Sequence, residues 1–235
     1  MTFTEVMDAL RSFSNEQTRK TWINHGAQGE VWGVKVGDMK VIQKKIKRDH
    51  ELALRLFDSG VPDAMYFGGL ISEPLKMSKD ELRQWAISAN WYMLSEYTVA
   101  WAASESHFGH ELALEWIDAR EEHVASAGWT TYSCLLALKK DEALDLKEIR
   151  SLMKRIEQTI HGQPNRVRYT MNGFLISAGG YVAALTEEAK AIAGRIGKVQ
   201  VDQGGTACKV PDPVAYIGKM EQAGKIGKKR KTVFC

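Results

Sequence analysis

HELALRLFD at residues 50–58 returns as HELALEWID at 110–118, and the offset of 60 continues without a gap through Gly68 and Gly128. Halfway between, Glu81-Leu82 stands thirty residues from both Glu51-Leu52 and Glu111-Leu112. A period of this size marks stacked units, each too small to bury its apolar face alone. Each unit reads as two helices: about 51–57 then 63–71, 79–88 then 90–104, and 110–118 then 121–138. The expected fold is an all-α superhelical solenoid with one continuous core.

Upstream, Thr2 with Glu5 and Ser14 with Gln17 have the spacing of capping boxes, each opening a short helix. Gly26 ends the second, a glycine-rich loop follows, and Asp38 is expected to cap a helix running through Arg48. On that helix Met39, Ile42 and Ile46 form the buried stripe, while Lys40, Lys44 and Lys47 fall together on another face. Such a stripe can lie along phosphates or simply face solvent. Downstream, helices are expected at about 145–161, 166–181 and 182–194, the second introduced by Gln163-Pro164-Asn165. Arg166 and Arg168 fall in its first turn. The helix dipole disfavours cations there, so they require an external anion or a carboxylate of the protein.

From about 197 the pattern changes. Val199 and Val201 alternate with polar residues, Asp202-Gln203-Gly204-Gly205 reads as a turn, and 206–210 as a returning strand. Asp212-Pro213 then opens a short helix to Gln222, closed by Gly224. The chain thus divides into a solenoid at 1–196 and a small irregular C-terminal cap at 197–235. That cap ends in a basic tail holding Lys225, Lys228, Lys229, Arg230 and Lys231. These five cations leave a net −2 on the remainder of a chain whose total is +3. The basicity is local, as expected for contact with a polyanion or for a solvated tail.

A length of 235 residues with 44% hydrophobic and 26% charged content suits one elongated domain. No apolar run reaches membrane-spanning length and the N-terminus lacks the form of a signal peptide, so a soluble intracellular protein is expected. Cys134, Cys208 and Cys235 are too scattered for a zinc framework, and His107-x-x-His110 lacks a clear third ligand. No metal or cofactor is expected. GxxxxGK[ST], GxGxxG, GxSxG and HExxH are absent.

The stretch that carries chemistry is NWYMLSEYTVAWAAS at 90–104, where Glu96 is the only acid among aromatic and apolar residues. A carboxylate so placed is paired, exposed in a groove, or shifted in pKa. Trp91, Tyr92 and Tyr97 surround it.

GVKVGDMKVIQKKIKRDHELALRLFDSG, NWYMLSEYTVAW, HELALEWID and NRVRYTMNGFLISAGG together resemble the AlkD-like DNA alkylation repair family over about residues 30–195. The resemblance implies a solenoid of HEAT-like repeats whose basic concave face cradles double-stranded DNA. It also implies excision of N3- or N7-alkylated purines. The protein is expected to act as a monomer in the cytoplasm, on the nucleoid. Where active members carry a tryptophan and, four residues on, a catalytic aspartate, this chain has Tyr92 and Glu96. Ser126 stands in place of an arginine that grips the backbone at the lesion, and Phe174 in place of a second tryptophan. Glu96 would stabilise positive charge on the sugar and activate water, with Tyr92 beside it. Trp91, Ser126 and Phe174 would line the lesion site. Lys40, Lys44, Lys47, Arg166, Arg168, Lys228, Lys229 and Arg230 would hold phosphates. A DNA-structure or lesion binder without excision is the alternative, and a protein-interaction solenoid a third.

Overall fold

The computed structural model describes residues 1–204 and 206–234; Gly205 and Cys235 lie outside the described residues. The expectations for Cys235 and for the Gly205 end of the turn are therefore outside it too. The chain opens with α1 (Phe3–Ser12), α2 (Glu16–Asn24) and α3 (Val36–Ile46). The repeats follow as α4 (His50–Asp58), α5 (Pro62–Ile71), α6 (Lys79–Ser88), α7 (Ala100–Glu105), α8 (Gly109–Trp116) and α9 (Glu122–Leu138). Then come α10 (Leu146–Thr159), α11 (Asn165–Tyr181), α12 (Thr186–Ile196) and α13 (Pro213–Gln222). Among the described residues there is no strand.

The helix pairs read from the repeat are present except that the 90–104 member is interrupted, and the two glycines in register explain why they pack so closely. A Cβ on Gly68 would lie 2.8 Å from the Ala53 carbonyl oxygen, so α5 crosses α4 backbone to backbone. Sixty residues on, a Cβ on Gly128 would lie 2.6 Å from the Ile117 nitrogen, where α9 meets the end of α8. Backbone cannot yield as a flexible side chain can. Gly128→Ala is accordingly expected to cost about 1 to 3 kcal/mol, read as a lower urea midpoint. An unchanged midpoint would mean the crossing has slack.

Buried apolar side chains form two adjoining clusters that meet on α8 and α9, one reaching back to α1 and the other forward to α13. Neighbouring units interlock through aromatic rings: Phe57 of α4 stacks on Trp85 of α6 at 4.1 Å. The helix α5 is buried along its whole length, Asp63 included. That carboxylate accepts the Trp32 and Val34 backbone N–H groups at 2.8 and 2.7 Å and so pins the loop before α3. Burial pushes the Asp63 carboxyl up, opposed by those same hydrogen bonds.

Four local expectations are corrected. Thr2 and Glu5 form their capping box, but in the second helix the cap is Asn15, whose side chain accepts from Thr18; Ser14 is not the cap. Asp38 does not cap α3, which begins at Val36 after Lys35 and ends at Ile46. The segment at 182–194 begins as a tight turn at Ala183–Leu185, and α12 itself runs Thr186–Ile196. The hairpin expected at 199–210 does not form. Asp202 instead exchanges two hydrogen bonds with Asn165, its carbonyl accepting at 2.8 Å and its N–H donating at 2.7 Å. Those groups are thereby engaged by α11 rather than by a ladder.

The short C-terminal helix is as expected, capped by Asp212 with Pro213 in its first turn. Beyond it the tail folds back over the solenoid. Gly227 and Arg230 donate backbone N–H groups to the Gly180 and Ala137 carbonyls, 2.9 and 2.8 Å away. The Lys229 ammonium donates to the Leu136 and Tyr181 carbonyls at 2.8 and 2.7 Å and pairs with Asp141 at 2.8 Å. Last-turn carbonyls of α9 and α11 have no partner within their helices, and a cation there also meets both helix dipoles favourably. Lys229 is thus a clasp between helix ends, a correction to its expected place on phosphate. Val233 is buried, its N–H donates to Glu105 at 2.8 Å, and Phe234 packs on Trp101 and under the Arg48 guanidinium.

Candidate nucleic-acid interface and the Glu96 centre

The segment expected as one helix from 90 to 104 is interrupted: Leu94–Val99 form a π-helical turn before α7 begins. One extra residue per turn in that stretch rotates the later residues relative to their place on a regular helix. Thr98 on this turn presses against Gly69 of α5, where a Cβ would lie 2.3 Å from its methyl carbon. The turn carries Ser95 and Glu96 inward, both buried.

Glu96 is 3% exposed. Its two oxygens accept from Arg166 Nε at 2.7 Å and Nη2 at 2.5 Å, a two-pronged pairing across seventy residues of sequence. The guanidinium lies between the rings of Tyr92 and Tyr169, 4.2 and 4.3 Å from their centroids. The Arg166 N–H donates to Glu122 at 2.5 Å. Burial pushes the Glu96 carboxyl above its ordinary range and Arg166 opposes it; the guanidinium, bonded to the carboxylate, is held more firmly charged. Ser126, wholly buried, sits against the same carboxylate and donates its hydroxyl to the His123 carbonyl at 3.0 Å.

Of the expected lesion-site residues, Tyr92, Glu96 and Ser126 do converge. Tyr92 hydroxyl and His25 Nδ1 are 3.0 Å apart, and burial pushes the phenol up to about 12. Trp91 is buried against Trp22, its indole N–H donating to the His25 carbonyl at 2.9 Å. Phe174 is a correction: it is fully buried, edge-on to Trp129 and Tyr132 at 5.4 and 5.5 Å, because α11 turns that face onto α9. It therefore belongs to the core and lines no cleft. Arg166 is likewise corrected, its guanidinium being committed to Glu96 rather than open to phosphate.

Arg168 bonds to Asn165 at 3.3 Å while its Nε is buried without a partner. On α3 Lys44 is exposed and Lys40 half-buried, whereas Lys47, expected on the same helical face, is exposed just past the helix end at φ +65°; none of the three forms an ion pair among the described residues. Lys228 is exposed as well. Arg230 joins Tyr97, Trp101, Tyr169 and Tyr181 around a cleft of about 250 Å³ on the far side of Glu96. His110 is taken up by Glu148 at 2.7 Å, and among the described residues no three His, Cys, Asp or Glu side chains converge as a metal site would require. No described helix is long and apolar enough to cross a membrane.

On the other side of the Glu96–Arg166 pair, with Arg166 in its wall, opens a cavity of about 470 Å³ that is not among the expected features. Its walls come from the end of α2, the 90–95 segment, the start of α9, the start of α11, and the loop 202–204. That loop reaches the N-terminal unit. Gly204 has φ +67°, and a Cβ there would lie 2.4 Å from the Asn24 carbonyl oxygen. Gln203 approaches Arg166 at 3.4 Å. His25, Glu122 and Gln203 had no local signal to mark them, since their partners lie on remote elements.

The family described as "DNA alkylation repair enzyme" matches residues 6–192. The chain is 34% identical to the uncharacterized protein Lmo0209 of Listeria monocytogenes over 231 residues, 96% of this chain and all of that one. It is also 34% identical to the uncharacterized protein Lin0241 of Listeria innocua over 225 residues, 93% of this chain and 97% of the relative. A solved structure described as "a new family of proteins related to the HEAT-like repeat DNA glycosylases with affinity for branched DNA structures" shares 38% identity. It superposes at a TM-score of 0.92 with full coverage of both chains. The all-α fold is therefore a HEAT-like repeat solenoid, and the chain belongs to the DNA alkylation repair enzyme family.

Proposed function

We propose that this protein binds branched DNA and does not excise bases. Glu96 carries the reading: both its oxygens are held by Arg166 and the side chain is 3% exposed. At 3% exposure the carboxylate is shut off both from an attacking water and from a sugar on which positive charge develops. The described affinity of the 38%-identical protein for branched DNA supports the choice of substrate. Lys40, Lys44 and Lys47 supply phosphate contacts, with Lys228 adding to them. Excision of N3- or N7-alkylated purines is the second reading, favoured by the convergence of Tyr92, Ser126 and Glu96 at one site.

The test pairs two measurements on the full chain. Mobility shift with a four-way junction and a linear duplex of equal length is expected to favour the junction by at least about tenfold, or about 1.4 kcal/mol. Release of free base from duplex DNA carrying N3- or N7-methylated purines is expected to stay at the uncatalysed background. Enzymatic release would restore the second reading. Changing Lys40, Lys44 and Lys47 together to alanine is expected to flatten the slope of log affinity against log salt by about 2.7, or roughly 0.9 for each phosphate no longer neutralised. An unaltered slope would remove α3 from the interface.

A further inference from the structure

The 470 Å³ cavity beside Glu96 is of the size that takes a small organic ligand, and its wall is marked by an unpaired polar group. Ser95 is wholly buried on the π-helical turn, lines the cavity, and its hydroxyl has no hydrogen-bond partner. Buried polar groups are nearly always paired, so an orphan beside a cavity calls for a partner from outside the chain, a water or a ligand atom. Around the rim, Asn24, Gln28 and Asn90 are exposed, and their side-chain amides have no hydrogen-bond partner among the described residues. Each amide offers a donor and an acceptor side by side, the pattern that matches the edge of a nucleobase. The half-buried rings of His25 and Tyr92 add flat apolar surface.

Charge decides against the nearest competitor, a phosphate group. Glu122 and Asp202 line the cavity with Glu96 just behind Arg166, so three carboxylates face one guanidinium that is already paired. An anion entering there would be repelled, whereas an uncharged planar heterocycle would not. Backbone phosphates must then stay outside while the base alone enters.

We infer that this cavity captures an unpaired nucleobase of DNA, taken from the branch point where bases are already unstacked. The inference rests on the branched-DNA reading. It gives that reading a physical basis: a perfect duplex offers no base without first breaking a pair, and a branch point does.

Fluorescence anisotropy with three DNAs tests it: a three-way junction with one unpaired adenine at the branch, the same junction with an abasic residue at that position, and a linear duplex. The wild-type chain is expected to bind the adenine junction about 10-fold more tightly than its abasic counterpart, in keeping with the usual worth of one stacked and bonded base. Ser95→Val removes the orphan hydroxyl, and Asn90→Trp plugs the mouth from the exposed rim. Both are expected to erase the difference while leaving the abasic junction bound as before; should Ser95→Val fail to fold, Asn90→Trp carries the comparison. Equal binding of the two junctions, both above duplex, would overturn base capture and leave the branched-DNA reading standing. Junctions bound no better than duplex would overturn both. Saturable binding of free adenosine in calorimetry, together with equal binding of the two junctions, would assign the cavity to a soluble nucleoside and overturn capture from DNA.

Discussion

Replacing Arg166 by methionine is expected to remove about 3 to 5 kcal/mol of stability at neutral pH, because it strands the Glu96 carboxylate without a counter-ion inside the protein. In a chain of this length that corresponds to melting roughly 6 to 20 °C lower. The loss depends on pH in a direction set by the carboxyl itself. Burial already pushes it above its ordinary value of 4.5, and without Arg166 it rises further. The folded state then keeps a proton that the unfolded chain releases. Stability of the variant is therefore retained below pH 4.5 and falls as pH rises through the raised folded value. Melts at pH 4 and pH 7 should show the smaller deficit, relative to wild type, in acid. Adding Glu96→Gln to the variant should recover much of the loss, since the stranded charge is gone. A single variant melting with wild type at neutral pH would show that the pair is not what holds the centre together.

Ending the chain at Gly224 is expected to cost about 3 to 5 kcal/mol, the sum of what the tail secures: the Lys229 contacts, buried Val233 and the Phe234 ring. Lys229→Met alone should account for about 2 to 3 kcal/mol of it, because two helix-end carbonyls and Asp141 lose their cation together. Urea titration gives both numbers. The neighbouring lysine separates structure from binding: Lys228→Ala should leave the urea midpoint in place and flatten the salt slope for DNA by about 0.9. A truncated chain with an unmoved midpoint would show the tail to be ornamental.

The repeat was legible because stacking imposes a period on the residues that touch. HELAL recurs where α4 and α8 must bury the same face, and Gly68 and Gly128 recur where backbones cross. Caps were legible only where one side chain and one backbone group within three residues decide the matter, as at Thr2 and Asp212. The 199–210 stretch carries the pattern of a hairpin but not its structure, because alternation of valines says nothing of Asn165, which takes up the Asp202 backbone groups from α11. The same limit governs the centre. Glu96 announces itself as an acid among aromatics, and Arg166 as a cation that needs an anion, yet nothing local says that each answers the other. Phe174 reads as an aromatic on a helix whether it faces a cleft or, as here, Trp129.

The clasp at Lys229 also orders events during synthesis. The tail leaves the ribosome after every helix whose end it closes, so α9 and α11 fold with open carbonyl ends while the chain is still being made. A nascent chain can be complete in all its helices and still lack the fastening between Arg48, Glu105 and the last turns of α9 and α11. Until Lys229 arrives, the last turns of α9 and α11 lack the cation that closes them, and a chain cut short before that residue would be helical yet more open to proteases.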